Sequence, residues 1–308
     1  AENFFYPSLK TFSDRLLGNS TQERTPPNNL TLASDPYSEF RQAADRPEAL
    51  IDLGRAALTI ALPEYPKLAI SDYLRRIDDL AVEVVERAGA DADQLRSIAA
   101  LNFVLFSQHK FRGNRDAYYD SKNSFLNQVI ERKTGIPITL SVLYMEVAKR
   151  IGLTFDGVGF PGHFMVKAIA EGNEIFIDPF DGGEIKSLDE LAAMLEQMYG
   201  GKVGWRDDLL ASVSKRQILQ RMLSNLKAIY VRENDLVKFL SVLDRLLILD
   251  PAAAAELRDR GAIYTRLGCY GQAKDDFERY LQLAPDADDA GAIREQLVEL
   301  AKQVVLIH

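Results

Sequence analysis

At 308 residues the chain is long enough for about two domains. Its composition, 47% hydrophobic and 27% charged, is that of a folded globular protein rather than a disordered one. A formal charge of −8 argues against nucleic-acid binding, which needs Lys and Arg to neutralise phosphates, and it disfavours docking on an anionic membrane.

Residues 1–42 read as an N-terminal extension. Turn formers cluster at 25–29 (TPPNN) and 34–38 (SDPYS), with a short helix expected around Leu9–Leu17. The opening AENFFYPSLKTFSDRLLG lacks the basic n-region, apolar core and small-residue cleavage site of a secretory signal. From Arg46 to Pro63 the pattern turns helical, with Leu50, Leu53, Ala57, Leu58 and Ala61 on one face. A second helix is expected from Ser71, as N-cap, to Gly89, and a third over 91–111, nearly apolar all round from Ile98 to Phe106. A polar, aromatic loop at 112–124 and a short helix over 124–132 follow. Ile136 to Ile151 is again helical, with Ile138, Val142, Met145 and Ala148 recurring every three to four positions. Strands fit Val158–Phe160, His163–Ala168 and Glu174–Asp178, the last two joined by a turn at 171–173. Ser187 and Glu190 form a capping box that opens one more helix.

After Trp205 the strand signal vanishes. Tyr230, Leu243, Leu247, Leu249 and Pro251 are matched 34 residues on by Tyr264, Phe277, Leu281, Leu283 and Pro285. That period, with a terminal Pro, is the tetratricopeptide signature of stacked helical hairpins. The one cysteine, Cys269, lies in a turn of these repeats. It excludes an intrachain disulfide and a Cys-based zinc site and suits a reducing compartment. The three histidines, His109, His163 and His308, are too few for a multi-His metal centre. No stretch approaches the roughly 18 apolar residues of a membrane span. The expectation is a cytoplasmic protein with no metal, no cofactor and no membrane partner.

The candidate chemistry lies in 133–181. A helix N-terminus, then a strand His, then a strand Asp is the chain order of a papain-like or transglutaminase-like triad. There the helix start lowers a thiol pKa and the His, oriented by the Asp, acts as base. His163, Met165 and Lys167 share one strand face, and Glu174, Phe176 and Asp178 share another. A hairpin centred near 170–172 with an even loop length pairs residues of opposite parity, which puts His163 and Asp178 on one face, opposite or one diagonal step apart. Read blandly, His163 makes a structural hydrogen bond and Asp178-Pro179 opens a turn.

The segments GIPITLS, PGHF and IDPFDGG, followed by the 34-residue repeats, resemble the bacterial transglutaminase-like family of the SirB type. The likeness covers about 46–290. It implies a transglutaminase-like fold ahead of tetratricopeptide-like repeats, with a largely undefined and partly regulatory role. Against the wider superfamily, Gly135-Ile136-Pro137 falls on its Gly-x-Cys, and His163 and Asp178 fall on its His and Asp. Pro137 therefore has neither the thiol nor the backbone N–H that would serve as oxyanion donor. It is a good helix starter.

Two hydroxyls are the alternative nucleophiles. Thr139 lies about 200° around the helix from Pro137, and Ser141 lies on nearly the same face about 6 Å further along the axis. A mid-helix Ser commonly bonds back to the carbonyl four residues earlier. Asn114, Tyr119 and Asn123 in the loop, with Pro137, form a possible wall for a peptide or amide side chain.

The expected architecture is α+β. An extension (1–42) precedes a transglutaminase-like, papain-like domain with a small antiparallel sheet (43–205) and all-α tetratricopeptide-like repeats (206–308). The expected function is a non-catalytic module that binds a protein or peptide. The rivals are a hydrolase or acyltransferase using Ser141 or Thr139 with His163 and Asp178, and a purely structural adaptor. An open pocket at His163 is the mark of binding there, and a cleft filled by the chain's own side chains is the mark of the adaptor.

Overall fold

The computed structural model describes residues 35–306, so the helix expected around Leu9–Leu17 lies outside the described residues. The chain forms two compact units, residues 42–225 and residues 226–306 with 35–41. The boundary falls later than Trp205, because residues 206–225 pack with the first unit.

After helix α1 (Ser38–Ala44), the helix expected from Arg46 divides. Glu48–Leu50 is only a 3₁₀ turn with Leu50 64% exposed, and α2 (Leu53–Thr59) starts afresh where the Asp52 carboxylate accepts from Arg55 N at 3.2 Å. Helix α3 (Ile70–Ala88) ends on Gly89, but Ser71 sits inside its first turn and Ala69 occupies the cap position without a side-chain bond. Helix α4 (Gln94–Asn102) is capped by Asp93 and continues as a wider π-helical turn, Phe103–Gln108. Strand β1 (Arg112–Gly113), helix α5 (Leu126–Arg132), strand β2 (Thr134–Gly135) and helix α6 (Pro137–Arg150) follow. Strands β1 and β2 pair in parallel, and α6 is buried at nearly every position from Pro137 to Ala148.

The main sheet is antiparallel, in the order β6-β5-β4-β3-β7. Its strands are β3 (Asp156–Val158), β4 (Met165–Ala170), β5 (Asn173–Asp178), β6 (Glu184–Lys186) and β7 (Ser212–Val213). Both edge strands were missed in the sequence, since two or three residues are too few to show alternation. Strand β7 lies beyond Trp205, where no strand was expected, and pairs with β3 through Gly157 and Val213. Helix α7 (Leu188–Tyr199) opens with the expected Ser187–Glu190 capping box. Its Leu191 and Leu195 pack on Val158, Phe160, Met165 and Phe176, an apolar core against the sheet.

Helix α8 (Lys215–Glu233) contributes residues to both units. Helices α9 (Leu236–Leu249) and α11 (Tyr270–Leu283) begin and end 34 residues apart, on either side of α10 (Ala254–Arg266). With α12 (Ala290–Leu306) they enclose Leu247, Leu257, Ala262, Phe277, Tyr280 and Ile293, which is the stacked-hairpin packing the repeat implies.

Candidate functional site

The β4–β5 hairpin turns at Glu171 and Gly172, with φ +51° and +80°. This is the left-handed pair that a two-residue loop needs to follow the strand twist. Its register sets Val166 opposite Ile177 and Lys167 opposite Phe176. Continued outward, the same register puts Met165 opposite Asp178 and leaves His163 one diagonal step away. His163 itself precedes the strand, in a turn closed by His163 N donating to the Phe160 carbonyl at 3.0 Å.

His163 Nε2 and Asp178 Oδ2 are 2.8 Å apart. The carboxylate can only accept, so the neutral ring carries its proton on Nε2 and Nδ1 is left as acceptor. Asp178 is fully buried. Its other oxygen accepts from Phe180 N at 3.0 Å, and its carbonyl accepts from Gly183 N at 2.8 Å. One aspartate thus orients the imidazole and bends β5 into the 3₁₀ turn Pro179–Asp181.

That turn lays Phe180 over the histidine. The rings meet edge to face at 5.9 Å, Tyr118 packs edge-on against Phe180 at 6.2 Å, and the Arg115 guanidinium sits 4.8 Å above the same ring. Arg115 is also ion-paired with Asp181. Gly113 admits the contact, because a Cβ there would lie 2.5 Å from the Phe180 ring. His163 is consequently only 7% exposed. Its ring packs against the Phe180 ring and bonds to Asp178.

Nearby, burial works against the charged Lys186 ammonium. Its hydrogen bond and attraction to Glu184, with Asp181 and Asp178 behind, nevertheless hold its pKa above the ordinary value. Arg221, on α8, donates Nη2 to the His163 carbonyl at 2.8 Å. Sequence reasoning missed this residue, since it lies 58 positions downstream in a stretch assigned to the repeats.

At the start of α6, Pro137 occupies the first helical position and is buried. The Thr139 hydroxyl is already committed. It accepts from Ile136 N at 3.1 Å and donates to the Asn123 carbonyl at 2.8 Å. Gly135 makes room for it, since a Cβ there would meet Thr139 Oγ1 at 2.9 Å. Ser141 is buried, and the back-bond to a carbonyl expected of a mid-helix Ser is absent. Its Oγ has no hydrogen-bond partner among the described residues. Neither hydroxyl bonds to His163. One turn further on, burial pushes the Tyr144 phenol pKa up.

The loop residues serve the loop itself. Asn114 Nδ2 donates to Asn123 Oδ1 at 3.0 Å while Asn114 Oδ1 accepts from Ala117 N at 3.0 Å. Asn123, fully buried, donates to the Ala117 carbonyl at 2.7 Å. Of the four residues of the expected wall, Tyr119 is 46% exposed and Asn114 half-buried, while Asn123 and Pro137 are buried.

A UPF0162 protein of Xylella fastidiosa is 38% identical over 267 residues, covering 84% of this chain and 93% of that protein. The chain belongs to the UPF0162 family. A UPF0162 protein of Vibrio cholerae is 31% identical over 212 residues, which cover 68% of this chain and 78% of that one. F-box only protein 21 of Mus musculus is 36% identical over 148 residues, 46% of this chain and 23% of its own length. Within this UPF0162 chain, residues 71–224 match the transglutaminase-like superfamily and residues 226–298 match the tetratricopeptide repeat. The order is that of the resemblance noted in the sequence. No solved structure matches the chain. No helix among the described residues is long and apolar enough to cross a membrane.

Proposed function

We propose that this chain is a non-catalytic transglutaminase-like protein that works by binding a protein or peptide. The observation that carries the reading is Pro137 at the first position of α6, where the superfamily pattern calls for a cysteine. A proline there supplies neither a nucleophile nor an N–H for an oxyanion. The substitute hydroxyls do not repair the loss, because Thr139 has both its roles taken and Ser141 lies buried with no hydrogen bond to His163.

The cover of Phe180 over His163 favours a structural task for the His163–Asp178 pair, which staples the hairpin to the 3₁₀ turn. Binding is therefore better assigned to outer surfaces. The repeats are the first of these, since stacked hairpins of this class generally mediate protein interactions. The cell interior is the proposed location.

Two measurements test the reading. Incubation with glutamine peptides, amine acceptors and esters is expected to give no turnover, and a fluorophosphonate probe no labelled residue. A label on Ser141 or Thr139 overturns the non-catalytic half. In-cell crosslinking is expected to name a partner whose purified form then binds saturably, and failure of every crosslinked candidate to do so overturns the binding half.

A further inference from the structure

Helices α3 and α4 leave an open groove of about 670 Å³ on the first unit. Glu83, Glu86 and Arg87 line one bank from α3, and Arg96 and Ala99 line the other from α4. The surroundings are apolar. Val82 and Val85 on α3, Leu95 on α4 and Phe103 at its end are each at least 36% exposed. Gln94 Nε2 donates to the Ile169 carbonyl at 2.7 Å, which brings a fifth exposed apolar residue to the start of α4. Single exposed side chains of this kind need no explanation, but five on two adjoining helices and the strand tied to them mark an interaction surface.

The charges that line the groove sum to zero, Glu83 and Glu86 against Arg87 and Arg96. Two of the four are engaged within the chain. Glu83 accepts from Gln108 Nε2 at 2.6 Å and meets His109 Nε2 at 2.7 Å, and the Arg87 guanidinium lies over the Phe103 ring at 3.2 Å. The other two, Glu86 and Arg96, are one acid and one base on opposite banks. Among the described residues neither has an ion-pair partner.

That arrangement is self-complementary. A two-fold axis through the groove lays α3 of one copy over α4 of another, so that each Glu86 faces an Arg96 across the contact. A patch of net charge would repel its own copy, whereas this one is balanced on a chain whose net charge is −8. Copies of so acidic a chain repel one another at long range and meet best where the local charge cancels.

We propose that the α3–α4 face is a contact between two copies of this chain, closed by two symmetry-related Glu86–Arg96 pairs among the apolar side chains. Its size sets its strength. The 19 residues of α3 make a helix about 28 Å long, and two helices side by side are about 20 Å across. That plane of roughly 560 Å² falls short of the roughly 800 Å² per partner of a standard interface, so the dimer is weak and forms at micromolar concentration. It stands whether or not the binding reading above holds.

The test is sedimentation equilibrium of the full chain from about 1 to 200 μM, in reducing buffer so that Cys269 links no copies. A monomer–dimer equilibrium is expected. Arg96→Glu and Glu86→Arg should each weaken it by about tenfold or more, because like charges then meet at two places in every dimer. Mixing the two variants should restore the dimer, since each supplies the charge that the other now needs. Glu86→Gln, which removes a charge without reversing it, should weaken the dimer by about threefold and carries the test if a reversal melts early. A monomer at every concentration overturns the proposal. So does a dimer indifferent to these substitutions, or a mixture of folded variants that associates no better than either alone.

Discussion

Two buried aspartates, Asp178 and Asp276, differ in how they are held. At the hairpin end, Asp178 is wholly enclosed and fixes an imidazole and a backbone turn at once. In the repeats, Arg260 on α10 takes both oxygens of Asp276 on α11, at 2.8 and 2.7 Å, and Asp244 on α9 at 2.8 Å. The first pair is conspicuous in the sequence because histidine is rare and the chain order is that of a triad. The second is lost among the 27% of residues that carry charge. Visibility in a sequence follows the rarity of a residue type, and structural weight follows burial and the number of partners. Each can be the firmer staple only by measurement.

The largest expected effect is at the hairpin. Asp178→Ala strands His163 Nε2 and the Phe180 N–H in the interior and should cost about 3–4 kcal/mol in urea denaturation, in the range for breaking a buried pair. A cost below about 1 kcal/mol would mean that the pair is held for something other than stability. Arg260→Ala should cost about 2–3 kcal/mol, less because the site is partly solvated, with hydrogen exchange accelerated across α9–α11. If Arg260→Ala proves costlier than Asp178→Ala, the order of the two staples is reversed.

Next comes the helix start. Thr139→Val removes the bond to the Asn123 carbonyl and leaves Ile136 N unpaired, for about 1–2 kcal/mol, while Thr139→Ser should recover most of it. The repeats should also show an alkaline limit. Burial first, and for Tyr280 its bond to Asp289, push the Tyr264 and Tyr280 phenols up from 10.0 to about 12. A pKa raised on folding means that the unfolded chain loses the proton first. Their stabilisation is therefore whole below pH 10 and falls away as pH rises towards 12. Thermal melts across that window should decline less steeply for the Tyr264→Phe, Tyr280→Phe double variant.

The smallest effect has the opposite sign. Ser141→Ala removes a buried hydroxyl that has no partner and should be neutral or stabilising by up to about 1 kcal/mol. A large loss of stability would show that the hydroxyl is satisfied in solution and would reopen its role.

Much of the fold was legible because it depends on local chemistry. The Ser187–Glu190 box, the end of α3 at Gly89 and the 34-residue period each follow from residues close in sequence. The hairpin register was legible too, because loop parity dictates which residues share a face. Less could be read of the site. That Asn114 and Asn123 spend their amides on their own loop, and that Phe180 covers His163, depends on a loop, a helix start and a turn meeting from three parts of the chain. The same holds for Arg221 under the His163 carbonyl and for β7 at the sheet edge.

The sequence by itself determined what the start of α6 can offer at Pro137. Pro137 lacks a thiol and an N–H whatever surrounds it, since both are properties of one residue's covalent structure. Only the tertiary structure decided how His163 and Asp178 are placed. Burial, the Phe180 ring and the committed Thr139 hydroxyl are properties of packing between distant segments, and these set how His163 and Asp178 are held.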